Sequence, residues 1–129
     1  MDRKAIFNGS GLKMLDMRVK YSFLTPWLAL NERNYQLYQR TGSAFRRKKQ
    51  LENILIANII SMSKGIGYTV PDIIQAEILR YREVYTSLKG NPMLGFIGEF
   101  AVNFKIPDYL GLGKSVSRGF GTIKKIGQE

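Results

Sequence analysis

The chain has 129 residues and a formal net charge of +10, with 44% hydrophobic and 12% aromatic residues. It contains neither cysteine nor histidine, which excludes disulfides, thiolate zinc sites and imidazole acid–base chemistry. A chain of this length can form one domain with its own core, and the basic charge favours nucleic acid or an anionic lipid surface as partner.

Neither targeting nor membrane insertion is indicated by the sequence. The first residues, MDRKAIFNGSG, lack the apolar region of a secretory signal. The longest apolar run, residues 54–60, is too short to span a bilayer. We therefore expect no transmembrane segment, with a nuclear location if the source is eukaryotic and an intracellular or virion-associated one otherwise.

The first part of the chain predicts an arm, then a short helix. Residues 1–20 are interpreted as an N-terminal arm, although an imperfect helical pattern begins at Leu12. Pro26 suits the first turn of a helix that Thr25 would cap, so a helix is predicted over residues 26–32. Trp27 is expected to be a buried anchor of this helix; a base-stacking platform is the less favoured interpretation.

The strongest helical pattern lies in residues 43–63, after the turn signal Thr41-Gly42-Ser43. Apolar residues recur there at helical spacing, at Leu51, Leu55, Ile59 and Met62. Four consecutive basic residues precede them, namely Arg46, Arg47, Lys48 and Lys49. The run either contacts a polyanion or is the solvated end of a buried helix.

A third helix is predicted over residues 71–89, with the cap sequence Thr69-Val70-Pro71-Asp72 and a stop at Gly90. Its apolar stripe would be Ile74, Ile78, Tyr81, Tyr85 and Leu88, spaced by four, three, four and three. Its polar face would present Gln75, Arg80, Arg82 and Glu83.

Two segments remain after this helix. Residues 93–106 are aromatic and apolar and fit either a fourth helix or an extended piece over the core. Residues 106–129 are rich in glycine and basic residues, which predicts a mobile basic tail. Gly113-Lys114-Ser115 is not a P-loop, because Asp108 occupies the position of its first glycine.

The predicted fold class is therefore all-α, a small three-helix bundle of helix-turn-helix type with a flexible basic C-terminal tail. The domain would span residues 21–105, between the arm (1–20) and the tail (106–129).

The middle of the chain resembles the MADF family of Myb/SANT-like DNA-binding domains over about residues 22–90. The resemblance is carried by WLALNERNYQLYQRTGSAFRRKKQLENILIANII, and by Ile78, Tyr81, Arg82 and Tyr85 in the last helix. It implies a three-helix fold that binds DNA and in some members binds protein. The chain departs from the family in lacking tryptophan within the second and third helices, and in having Glu77 on the helix that would approach DNA.

These observations lead to a predicted function as a non-enzymatic, DNA-binding regulatory domain without cofactor or metal. Duplex DNA is the favoured partner, with RNA as a second option. The alternative is a basic structural or packaging protein, viral or ribonucleoprotein, that self-associates or binds a protein through its apolar helix surface. The predicted nucleic-acid-binding residues are Arg46, Arg47, Lys48, Lys49, Gln75, Arg80, Arg82, Lys114, Arg118, Lys124 and Lys125.

Overall fold

The computed structural model describes residues 18–68 and 73–127. Its strands are β1 (Val19–Phe23), β2 (Ala76–Leu88), β3 (Asn91–Val102) and β4 (Ile123–Lys125). Its helices are α1 (Glu32–Arg40) and α2 (Ala44–Gly65), and a short 3₁₀ turn spans Val116–Arg118. The predicted cap at residues 69–72 and the arm up to residue 17 lie outside the described residues.

The four strands form one antiparallel sheet in the order β2-β3-β1-β4. The two helices cover one face of this sheet, so the fold is α+β and the predicted all-α bundle is wrong. The strand order is that of a ferredoxin-like sheet. Here a loop with a 3₁₀ turn connects β3 to β4, where such folds usually have a second helical connection.

The predicted third helix is in fact strand β2, the first half of a long hairpin with β3. Lys89 and Gly90 both have positive φ (52° and 82°) and form the two-residue turn that favours hairpins. A β-bulge lies between Ile78 and Arg80. Because the bulge adds one residue, Ile78 and Tyr81 share a face although they are three positions apart, and this spacing imitates a helical stripe.

The predicted helix over residues 43–63 is confirmed as α2, where the Ser43 side chain accepts from the Arg46 backbone N–H at 3.3 Å. The predicted helix over 26–32 is wrong, because Trp27 is extended and pairs with Phe96 of β3. The actual first helix starts after Asn31, whose side chain forms a reciprocal capping box with Asn34.

The core lies between the sheet and the helices. Trp27 is 1% exposed, as predicted for an anchor, and its indole Nε1–H donates to Asn58 Oδ1 of α2 at 2.9 Å. The inward side chains of the sheet pack against the apolar stripe of α2 in one cluster, which includes Tyr21, Phe23, Phe96, Phe100, Leu51, Leu55 and Ile59.

The C-terminal segment belongs to the same core, so the prediction of a flexible tail is wrong. Ile106, Leu112 and Ile123 are each at most 1% exposed. β4 pairs with β1 along one side of the sheet. The physical reason is that apolar residues separated by glycines bury their side chains while the glycines permit tight backbone turns. Within the described ranges, neither helix is long and apolar enough to cross a membrane.

Candidate nucleic-acid interface

The face of the sheet that points away from the helices is basic. Side chains alternate along a strand, so the neighbours of the buried residues project to this open face. One line of paired residues crosses all four strands there, running Lys124, Ser22, Glu99 and Arg80. Lys20 and Arg82 flank this line on the same face and are exposed.

Two ion pairs neutralise part of the open face. Arg80 donates to Glu99 at 2.9 Å, and this contact raises the pKa of Arg80. Arg18 donates to Glu77 at 2.5 Å, and this hydrogen bond lowers the pKa of Glu77. Arg82 forms no ion pair with any described residue. The open face therefore keeps an excess of positive charge.

Next to this face lies the glycine loop, residues 111–121, between β3 and β4. It folds back on itself, with the Leu112 N–H donating to Gly121 O at 2.9 Å. It also bonds to the segment after β1, because the Gly121 N–H donates to Pro26 O at 2.9 Å and the Lys114 N–H donates to Leu28 O at 3.1 Å. These bonds hold the loop along the extension of β1.

Two glycines are required for this packing. A Cβ at Gly121 would overlap the carbonyl oxygen of Leu112, and its φ is +70°. A Cβ at Gly113 would lie 2.8 Å from Trp27 Cδ1 and 2.9 Å from Leu28 O. The loop is thus a compact element that packs closely against Trp27 and Leu28.

Thr25 closes the end of the glycine loop. Its hydroxyl donates to Gly119 O at 2.6 Å and accepts from the Thr122 N–H at 3.0 Å. Thr25 was predicted to cap a helix, and that role is wrong because no helix follows it in this part of the structure. With the loop fixed in this way, Lys114 and Arg118 are held at exposed positions.

The predicted C-terminal lysines lie on β4, directly after the loop. Lys124 Nζ donates to the Tyr109 hydroxyl at 3.1 Å and stands over the Tyr109 ring, and the hydrogen bond raises the pKa of Lys124. The Lys125 N–H donates to Asp108 Oδ1 at 2.7 Å. Lys124 therefore continues the line of basic residues from the glycine loop onto the open face.

The predicted basic run at the start of α2 lies in the helix layer, on the other side of the sheet. The Arg47 guanidinium donates from Nε to Thr41 O at 2.8 Å and Tyr38 O at 3.1 Å, so it caps the end of α1. Lys48 and Lys49 lie within 4.0 Å and 3.6 Å of the Glu52 carboxylate. Contact of this run with phosphates stays a prediction, but three of its four charges already have internal partners.

Gln75, Arg80 and Arg82 do not share a helix face, because the helix predicted to carry them is absent. Gln75 precedes β2 and its backbone N–H donates to Asn103 Oδ1 at 3.0 Å. Lys20 was not among the predicted nucleic-acid-binding residues, although the alternation in VKYSF (residues 19–23) could have indicated a half-buried strand.

The described residues offer no group of three or more acidic side chains that could hold a metal ion. With histidine and cysteine absent from the whole sequence, the site presents guanidinium and ammonium groups, backbone amides and tyrosine rings. That set of groups suits binding to a phosphate backbone and to bases.

Comparison with known proteins identifies similar chains. A model described as the Cas6b C-terminal domain matches residues 13–126. An uncharacterized protein of Methanocaldococcus jannaschii is 47% identical over 108 residues, which are 84% of this chain and 73% of that protein.

Two solved structures match with a TM-score of 0.80 and 46% identity over 86% of this chain. One is Cas6b and the other is the CRISPR RNA processing endoribonuclease Cas6b. This chain covers 64% and 56% of them, respectively, and so spans less than two thirds of either.

These matches overturn the resemblance to the MADF family and the DNA-binding regulatory function that it implied. The prediction that the chain is not an enzyme is contradicted by its 46% identity to a CRISPR RNA processing endoribonuclease. The prediction of a nucleic-acid partner is confirmed, whereas the preference for duplex DNA over RNA is not. The nuclear location does not apply, since Cas6b is a prokaryotic family.

Proposed function

The chain belongs to the Cas6b C-terminal domain family, and on that premise we propose that it is the RNA-binding part of a CRISPR RNA-processing endoribonuclease. Its substrate would be the precursor RNA, held as a single strand along the glycine loop and the open face of the sheet. The similarity to a CRISPR RNA processing endoribonuclease, at 46% identity, supports this substrate class.

One observation carries the proposal, namely the placement of exposed basic residues on the loop and the adjoining sheet face. Arg118 lies on the glycine loop, and Lys124 and Arg82 lie on the open face. In contrast, Arg47, Lys48 and Lys49 in the helix layer lie within 4.0 Å of the carboxylates of Glu83 or Glu52. Lys124 instead donates to the uncharged hydroxyl of Tyr109. A polyanion should therefore bind on the side of the loop and the open face.

The groups that this chain can offer to the cleavage step follow from its composition. Without histidine or cysteine, its titratable side chains are carboxylates, amines, guanidinium groups and phenols. Positive charge near the scissile phosphate stabilises the charge that develops there, so Arg118 and Lys124 would serve both binding and transition-state stabilisation.

The experiment compares two triple variants that remove the same charge. One is Arg82→Gln, Arg118→Gln, Lys124→Gln on the proposed interface. The other is Arg33→Gln, Arg46→Gln, Lys64→Gln, which changes exposed residues of the two helices. The affinity of each chain for a repeat-derived single-stranded RNA is measured across a salt series, with duplex DNA as a second ligand.

We expect the interface variant to bind RNA much more weakly and to lose roughly 0.7 from the salt slope per lost phosphate contact. The helix variant should retain most of the affinity. Equal losses in the two variants would mean that net charge alone drives binding and would contradict the proposal. Tighter binding to duplex DNA than to RNA would contradict it as well.

A further inference from the structure

A cavity of about 560 Å³ lies between the start of α1, the turn end of the β2–β3 hairpin and the glycine loop. Its size is within the range of about 300–1,000 Å³ that is usual for ligand sites. It is not part of the open face, because α1 lies on the other side of the sheet. Its lining includes Leu30, Glu32, Tyr35, Tyr85, Leu94 and Lys114.

Two tyrosines give this cavity aromatic walls. Tyr85 is 74% exposed, although it lies on the same face of β2 as Tyr81, which packs against the core. Tyr35, in the first turns of α1, is 39% exposed. Between them the lining is apolar, with Leu30 and Leu94. Exposed aromatic rings beside an apolar floor suit the flat face of a nucleobase.

A cation stands at the edge of the same cavity. The Lys114 backbone is held by its hydrogen bond to Leu28 O, and its ammonium Nζ donates to Leu30 O at 3.5 Å. Lys114 forms no ion pair with any described residue. A fixed backbone and a free positive charge suit a phosphate at the cavity mouth.

Glu32 is the acidic residue of the lining, and it argues against a phosphate inside the cavity. Its carboxylate would repel a phosphate but can accept hydrogen bonds from the exocyclic amine or ring N–H of a base. The charges therefore favour an arrangement with the base inside and the phosphate outside, next to Lys114.

We propose that this cavity binds one unpaired nucleobase of the RNA strand, stacked on Tyr85 and facing Tyr35, with the adjacent phosphate on Lys114. This inference rests on the proposed function and adds a base-binding subsite to it. The strand would pass from the open face over the glycine loop, which separates the two surfaces, and insert one base between α1 and the hairpin.

The test is an abasic scan with the full 129-residue chain. A single-stranded RNA is made with one abasic nucleotide at each position in turn, and its affinity is measured for the unsubstituted chain and for Tyr85→Ala. At one position the abasic site should weaken binding to the unsubstituted chain by roughly fivefold or more. Roughly fivefold is the lower end of the affinity loss expected when one stacked base is removed. At that position the abasic nucleotide should cause no further loss of RNA affinity in Tyr85→Ala. At every other position its effect on affinity should be the same in both chains.

Matched variants separate stacking from other effects. Tyr85→Phe should keep the affinity within about twofold, because the ring is retained. Phe45→Ala, which removes an aromatic residue 67% exposed that does not line this cavity, should leave both the affinity and the scan unchanged. Lys114→Gln should reduce the salt slope by roughly 0.7.

The outcomes distinguish this inference from the function on which it rests. If the unsubstituted chain does not bind RNA, the proposed function fails. If it binds RNA but Tyr85→Ala and Tyr35→Ala bind equally well, the subsite is absent while the function stands. If no abasic position couples to Tyr85, or if Phe45→Ala has the same effect as Tyr85→Ala, the cavity is not a base site and a protein side chain is its better occupant.

Discussion

The carboxylate of Glu52, in the third turn of α2, accepts a hydrogen bond of 2.8 Å from the backbone N–H of Ile78. Ile78 precedes the β-bulge, and its N–H is directed toward the helix where the strand is irregular. The Glu52 side chain is 8% exposed, and Lys48 and Lys49 lie within 4.0 Å of it. This bond joins the helix layer to the sheet, and it explains why an acidic residue is buried beside the basic run.

Glu52→Ala should lower the free energy of unfolding by about 1–3 kcal/mol, because it leaves a buried N–H without an acceptor. Glu52→Gln should cost less, since its amide oxygen can still accept. Urea denaturation of the two variants measures the difference. A loss for Glu52→Ala no larger than that for Glu52→Gln would show that the bond to Ile78 does not stabilise the fold.

Gly121→Ala should disrupt the glycine loop, because the added methyl group would overlap Leu112 O at a positive φ. We expect a loss of stability of more than about 2 kcal/mol and weaker RNA binding, since the left-handed conformation alone costs roughly 1–2 kcal/mol. Gly42→Ala is the control, as no atom lies within 4 Å of its new Cβ. Thermal unfolding and RNA affinity are the measurements; similar values for both variants would refute the packing role of Gly121.

Leu55 and Tyr85 both lie on apolar stripes in the sequence, but Leu55→Ala and Tyr85→Ala should differ in their loss of stability, because one residue is in the core and the other on the surface. Leu55 is fully buried, so its truncation should cost about 2–5 kcal/mol. Tyr85 is 74% exposed, and Tyr85→Ala should stay within about 0.5 kcal/mol, as for most surface changes. Urea denaturation tests this, and a large loss for Tyr85→Ala would place that ring in the core.

Alkaline pH should destabilise the chain partly through Tyr38. Burial and then the hydrogen bond from its hydroxyl to Glu83 Oε2 (2.6 Å) raise the pKa of Tyr38 far above its usual value of 10.0. A raised pKa in the folded state contributes stability that is complete below pH of about 10 and is lost as pH rises above it.

The comparison is between the unsubstituted chain and Tyr38→Phe in urea denaturation from pH 8 to pH 11.5. Tyr38→Phe should be less stable at pH 8, because it lacks the hydrogen bond to Glu83, and the gap should narrow toward pH 11.5. A gap that does not change with pH would show that Tyr38 does not contribute to alkaline unfolding.

Local signals in the sequence determined helix α2. The Ser43 cap and the stripe of Leu51, Leu55 and Ile59 lie within one continuous segment, and the structure follows them closely. Trp27 as a buried anchor was also predicted correctly from its size and apolar character. Such features depend on residues within a few turns of one another, so the sequence alone reveals them.

The hairpin and the interface depended on tertiary structure. The bulge before Arg80 gives the apolar residues of β2 the spacing that is typical of a helix. Only the pairing with β3 decides between a strand and a helix. Likewise, Lys20, Arg82 and Lys124 come from three segments far apart in the sequence. They share a face because the sheet places the strands side by side, and alternation turns these side chains away from the buried ones.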